Sequence, residues 1–216
     1  MLRKESVDET TLGLIRQLQG KEYLKGFILV GGTGLALQIG HRKSIDIDLF
    51  SISDFDQVSI LENLEKDFGF QVDYLEKNTL KGAIRGVKVD LLTHPYTSIK
   101  PPLNIDNLQI ASIEDICAMK INAISNDGTR VKDFIDIYYL FNSYDLDKML
   151  GFYQEKYQLR NRFHALKSLN YFSEVESDDW PELIADKKLT WKVIMRKIDE
   201  NCKEFTASLT GKQKNR

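Results

Sequence analysis

FILVGGTGLALQIGHRKSIDIDLF, residues 27–50, is the stretch on which the fold turns. It opens with the continuous apolar run FILVG (27–31), suited to a buried strand. The run breaks at Gly31-Gly32-Thr33, where a short helix is expected to start. Glycines there let the backbone approach a ligand closely, and free N–H groups at a helix start favour phosphate. The stretch closes with SIDIDLF (44–50), the strict alternation of a strand. Residues i and i+2 of a strand share a face. Ile45, Ile47 and Leu49 are therefore expected in the core, and Asp46 and Asp48 together on the opposite side. Two carboxylates so close repel each other unless a cation lies between them, and oxygen ligands at that spacing suit Mg²⁺. An Asp-x-Asp pair by itself is more often a solvated strand face; the glycine turn upstream makes this one a candidate site.

Outward from this core, residues 56–68 read as a helix, and QVDYLEK (71–77) and GAIRGVKVDLLT (82–93) as strands set off by turn residues. The run VKVDLL carries a third carboxylate, Asp90, placed to join the pair. THPYTSIKPPLN (93–104) holds three of the four prolines and is the best linker. The pattern then turns helical. Ser112 followed by Asp115 is a capping-box start, apolar spacing continues to Ile124, and Asn126-Asp127-Gly128 ends the helix. Residues 131–142, 145–157, 161–172 and 190–207 read as further helices, and GKQKNR as a frayed tail. The expectation is an α+β chain: a mixed α/β domain over 1–105 followed by a helical domain over 106–216.

Two features of the helical half bear on chemistry. Ile113, Ile116, Cys117, Ala123 and Ile124 form one stripe, and Lys120 falls in its middle. A lysine there must snorkel, bind an anion or pair with a carboxylate, Asp133 or Asp136 being the structural choice. Asp133 and Asp136 lie one turn apart on a helix otherwise apolar nearly all round, and Lys132 is placed to pair with Asp136. The bland reading of those charges is a solvated stripe.

The 216 residues are 42% hydrophobic and 29% charged, enough for a real core, and the net charge is −2. Residues 1–108 carry 13 basic and 15 acidic side chains and residues 109–216 carry 17 of each, so a whole-surface electrostatic grip on nucleic acid is excluded. Two cysteines make no disulfide framework, no apolar run spans a membrane, and the start MLRKESVDETT is no signal peptide; the expected place is the cytoplasm, with no membrane contact. Lys43-Ser44 follows Gly40 too soon for a P-loop, and Leu37 stands where a dinucleotide fingerprint needs Gly or Ala. His41, His94 and His164 have no zinc spacing.

GGTGLALQIGHRKSIDIDLF, then VDLL, EDICAMKINAI and RVKDFIDIYYL, together resemble the AbiEii-like (AbiEii/AbiGii toxin) nucleotidyltransferases, over about residues 27–141. The resemblance implies a nucleotidyltransferase-type mixed sheet flanked by helices, then a helical domain. It implies an NTP substrate, Mg²⁺ or Mn²⁺, a cognate antitoxin, and an acceptor hydroxyl on RNA, such as a tRNA 3′ end, or on protein. Gly31, Gly32 and Thr33 match the phosphate-holding turn, with Arg42 and Ser44 as further nucleotide-binding candidates. Asp46 and Asp48 match the metal pair, with Asp90 as base or third metal ligand. Lys120 matches a lysine at the triphosphate. Asp133 and Asp136, with Lys132, match the last motif, where Arg-Asp is usual and Lys-Asp stands here, weakening any bidentate role. Nothing after residue 145 matches a motif. Two other classes stay open at this point: a non-catalytic nucleotide-binding protein acting through a partner, and an interaction protein with an incidental acidic pair. For an RNA acceptor, the basic residues Arg160, Arg162 and Lys167, and the i, i+4, i+8 series Lys188, Lys192, Arg196, are the positions expected to grip phosphates.

Overall fold

The computed structural model describes the backbone of residues 1–213 and side chains through Leu209. It divides into two compact units, Met1–Ile116 and Cys117–Arg216.

The first unit is built on a seven-stranded mixed sheet. In chain order its elements are α1 (Glu9–Gln19), β1 (Ile28–Leu29), α2 (Gly31–Ile39), β2 (Ile47–Ser51), α3 (Gln57–Phe68), β3 (Gln71–Glu76), β4 (Thr79–Ile84), β5 (Val87–Thr93), β6 (Leu103–Ile105) and β7 (Leu108–Ile110). The sheet order is β3-β4-β5-β2-β1-β7-β6. β2 and β5 run parallel, as do β1 and β7; the other neighbours are antiparallel. Alternation sorts the faces. Ile47, Leu49, Leu80, Ile84, Val89 and Leu91 enter one core with Leu12, Ile15 and Leu18 of α1 and Ile60 and Leu64 of α3. Residues of the other parity, Asp48 and Asp90 among them, are left on the opposite face.

Several local expectations change here. Ile45 does not enter the core: β2 starts at Ile47, and Ile45 is 63% exposed. Alternation ran two residues past the point where strand geometry begins. GAIRGVKVDLLT is a hairpin, with β4 and β5 joined at Arg85-Gly86, both at positive φ (52° and 80°). The β6–β7 turn, Asp106-Asn107, uses the same left-handed pair (53° and 62°). Asp and Asn tolerate that conformation; for arginine it costs about 1 kcal/mol. The Pro-rich segment after β5 is a crossover within the sheet, leading to β6 and β7 beyond β1. Its Ile99 and Lys100 amides donate to the Asp115 carboxylate (3.1 and 3.2 Å), which also accepts from Ser112 Oγ at 2.6 Å. A division at 105/106 falls inside the β6–β7 hairpin, because those strands belong to the sheet; the compact units meet instead within α4 (Ile113–Asn126).

The second unit continues α4 and adds α5 (Val131–Leu140), α6 (Leu146–Tyr157), α7 (Phe163–Leu169) and α8 (Trp191–Gln213). α5, α6 and α7 all contact α8. Phe134 meets Phe172 and Trp191 at 5.8 and 5.5 Å between centroids, an aromatic centre for the bundle. α8 reaches Gln213, so helix occupies the start of the tail expected to fray, and residues 214–216 lie outside the described residues. Among the described residues no helix is long and apolar enough to cross a membrane. Both cysteines are buried thiols outside any disulfide, and burial pushes the Cys202 thiol up to about 12.

Candidate active site

The glycine turn is built by close approach. Gly31 takes φ +66°, a left-handed value that suits glycine, and a Cβ there would lie 2.1 Å from Asp48 Oδ2. A Cβ on Gly32 would lie 2.3 Å from Arg42 Nη2 and 3.4 Å from Ser44 Oγ. The two glycines thus bring the start of α2 against one carboxylate and one guanidinium. No side chain caps α2 at Val30, so the carboxylate of Asp48 faces a helix start whose dipole favours negative charge. Thr33 fixes the return of the chain: its hydroxyl donates to the Asp46 carbonyl and shares a 2.9 Å hydrogen bond with Ser44 Oγ. Arg42 and Ser44 are both buried, and Arg42 Nη1 also donates to the Lys43 carbonyl at 3.0 Å. These residues, from separate parts of 31–44, occupy one place.

Asp48 and Asp90 are direct neighbours. The parallel β2–β5 register pairs Asp48 with Asp90, and paired residues of parallel strands point the same way. Asp90 is buried, and its Oδ1 has no hydrogen-bond partner; its Oδ2 is 3.4 Å from Lys88 Nζ. An orphaned carboxylate oxygen at this depth is costly unless a cation or a proton donor meets it. The same register across β4 and β5 sets Lys81 beside Asp90. Sequence reading missed both lysines: Lys88 was visible as the i−2 neighbour in VKVD, whereas Lys81 needs the hairpin register.

Asp46 precedes β2 and is only half-buried. Among the described residues no three Asp, Glu, His or Cys side chains come together tightly enough to hold an ion. The β2–β5 register brings Asp48 and Asp90 together, while Asp46, expected with Asp48 as the metal pair, precedes β2. A pair suits Mg²⁺, which keeps several waters and takes the rest of its shell from phosphates.

Within the second unit, the expected residues Lys120, Asp133 and Asp136 form an ion-paired cluster. Lys120 Nζ lies 2.6 Å from Asp133 Oδ1 and 2.7 Å from Asp136 Oδ2, with all three side chains at most 7% exposed. Arg130 Nε stands 3.9 Å from Asp133 Oδ2. The polar stripe of α5 is thus not solvated; it faces Lys120. The anion met by this ammonium group is a pair of aspartates, the structural alternative for the residue. Lys132 does not pair with Asp136 but with Asp179, at 2.6 Å, because Asp136 is fully buried and turned to Lys120. The basic series also changes. α8 starts at Trp191, so Lys188 lies before it and only Lys192 and Arg196 share its face. α7 starts at Phe163, after Arg160 and Arg162, and Arg162 is engaged by Asp147 at 2.7 Å and by the Phe205 ring.

With this geometry in hand, comparison with known proteins is informative. The family model described as nucleotidyl transferase AbiEii toxin, type IV TA system, matches residues 14–207. An uncharacterised protein of Aquifex aeolicus (strain VF5) is 30% identical over 185 residues, covering 83% of this chain and 87% of its own. In fold, the chain resembles a candidate nucleotidyltransferase from H. pylori (TM-score 0.55, 15% identity, 94% and 98% of the two chains). It also resembles MenT4, a nucleotidyltransferase toxin of Mycobacterium tuberculosis H37Rv (0.53, 12%, 88% and 87%). A match over residues 14–207 takes in both units and the glycine turn, the aspartate pair and the Lys120 cluster alike: the chain belongs to the nucleotidyl transferase AbiEii toxin family and is a nucleotidyltransferase.

Proposed function

We propose that this nucleotidyltransferase moves a nucleotide from an NTP to the 3′ hydroxyl of an RNA, tRNA being the first candidate, in a reaction that depends on a divalent cation. The observation that carries the reading is the Asp48–Asp90 pair, side by side in the β2–β5 register, with Asp48 against the start of α2 and Asp90 Oδ1 unpartnered. Asp48 and Asp90, with Asp46 at the margin, are the residues to hold Mg²⁺ or Mn²⁺. Such an ion would supply Lewis-acid neutralisation of the phosphate charge. The chain's own groups do the rest. The turn at Gly31, Gly32 and Thr33 offers backbone N–H groups to the phosphates, and Arg42 and Ser44 stiffen it from behind. An acceptor oxygen forms a bond to the α-phosphorus, the bond from that phosphorus to the bridging oxygen breaks, and pyrophosphate leaves. Asp90, buried and short of a partner, takes the hydroxyl proton. Lys120, with Asp133 and Asp136, holds α4 to α5.

A toxin of this family is expected to have a cognate antitoxin. The acceptor is tested by incubating the protein with total RNA, Mg²⁺ and each labelled NTP in turn. Label in RNA of tRNA size supports the reading. Label in protein alone overturns it and makes a protein hydroxyl the acceptor.

A further inference from the structure

A groove of about 370 Å³ opens beside Asp46 and has no part in the nucleotide-binding turn. It is lined by the start of α1 (Asp8, Thr10), by Ile45 and Asp46 ahead of β2, and by the β4–β5 turn (Arg85, Lys88). Lys88 links it to the site, since its Nζ reaches Asp90 Oδ2. Two features of its lining run against local rules. Ile45 keeps 63% of its surface in water beside a cavity. Arg85 holds a left-handed turn position that Asp106 and Asn107 fill in the β6–β7 hairpin. A sequence that places arginine where turn chemistry asks for asparagine keeps it for its side chain.

Charge narrows the occupant. The N-terminus of α1 is already filled, because Asp8 accepts from the Thr11 amide at 2.8 Å and the Thr11 hydroxyl at 2.7 Å. The groove therefore carries two cations, Arg85 and Lys88, and two carboxylates, Asp8 and Asp46. A triphosphate brings too much negative charge for a lining that sums to zero. A phosphodiester strand, with one charge per nucleotide, matches two spaced cations, and its bases have faces for an exposed aliphatic side chain and a planar guanidinium.

We propose that this groove seats the last nucleotides of a single-stranded RNA acceptor: Arg85 and Lys88 take its phosphates, Ile45 takes the face of a base, and the terminal hydroxyl points past Asp46 toward Asp90. The proposal rests on the RNA-acceptor reading above. The probe is a short single-stranded RNA with a free 3′ hydroxyl, its binding followed by fluorescence anisotropy over a range of salt, with NTP affinity measured on the same protein. Two variants approach from opposite parts of the lining. Arg85→Asn removes the cation and relaxes the turn; Thr10→Glu adds a negative charge where a helix start tolerates it. Each is expected to weaken RNA binding by about five- to tenfold, with Arg85→Asn also lowering the slope of log K against log salt by about 0.7. NTP affinity stays as in the wild type, and the Tm of Arg85→Asn is no lower. Unchanged RNA affinity and slope in Arg85→Asn overturn the proposal, as does an NTP affinity that falls in step with RNA affinity. If the wild type still labels RNA in that case, the acceptor class stands and only its seat is wrong. If the wild type labels protein alone, both readings fall together.

Discussion

Asp48 and Asp90 on the sheet, and Asp133 and Asp136 on α5, are two aspartate pairs with opposite fates. The α5 pair is held by a cation of the fold: one lysine ammonium sits within 2.7 Å of both side chains, leaving Asp133 Oδ2 with Arg130 Nε at 3.9 Å and no hydrogen-bond donor. The sheet pair has no such cation in its midst: Asp90 is buried as well, its Oδ1 meets no donor, and its lysine stands off at 3.4 Å with a side chain 59% exposed. A buried carboxylate whose partner comes from the fold is part of the architecture. A buried carboxylate left short of a partner is held ready for something that arrives with the substrate.

The largest effect is expected where the sheet pair loses a charge. Asp48→Asn keeps the size of the side chain at Gly31 and removes half of the pair's charge, so NTP turnover in Mg²⁺ should fall on the order of a thousandfold while the melting temperature changes little. Undiminished turnover by a well-folded Asp48→Asn protein would falsify the contrast between the two pairs. The α5 pair should answer in stability instead. Lys120→Met leaves two carboxylates buried without their cation, and breaking such an arrangement costs about 3–5 kcal/mol. Adding Asp133→Asn and Asp136→Asn should restore most of that loss in denaturant unfolding, since neutral side chains no longer need the ammonium group. A restored protein that binds NTP as tightly as the wild type keeps Lys120 in the architecture. A more than tenfold loss of NTP affinity in that protein would bring the lysine back to the triphosphate.

The smallest effect belongs to Asp8, a carboxylate satisfied by backbone and hydroxyl rather than by a cation. The Thr11 amide, then the Thr11 hydroxyl, holds its carboxyl below the ordinary value of 3.8. Its folded-state pKa is depressed, so its contribution is complete above pH 3.8 and disappears as the pH falls through the lower folded value. Asp8→Ala should cost about 1 kcal/mol near neutral pH. The gap between the two proteins, measured by urea unfolding, should stay level from pH 7 to about 5 and close in stronger acid.

What the sequence revealed about these pairs follows range. The glycine turn, the strand carrying Ile47 and Leu49, the capped start of α4 and the spacing of Asp133 and Asp136 are set by residues within a turn or two of one another, and periodicity exposes them. Ile45 was misplaced because alternation does not say where a strand begins. Lys120 was seen as anomalous, but its partners stand 13 and 16 residues away across a helix break, so an anion-binding role and a structural one looked alike. The pairing of Asp48 with Asp90 needs the parallel β2–β5 register, and the Arg85 groove needs the β4–β5 hairpin beside α1; neither leaves a mark on any single segment.

β1 has only two residues, yet it lies between β2 and β7, and Leu29 pairs with Leu49 on one side and Ile110 on the other. During synthesis, Leu29 is made long before Ile110. Until the ribosome has released the chain past β7, the strand that carries the glycine turn has a neighbour on one flank alone, and a two-residue strand held on one side is weak. The glycine turn therefore becomes rigid only after more than half of the polypeptide has emerged.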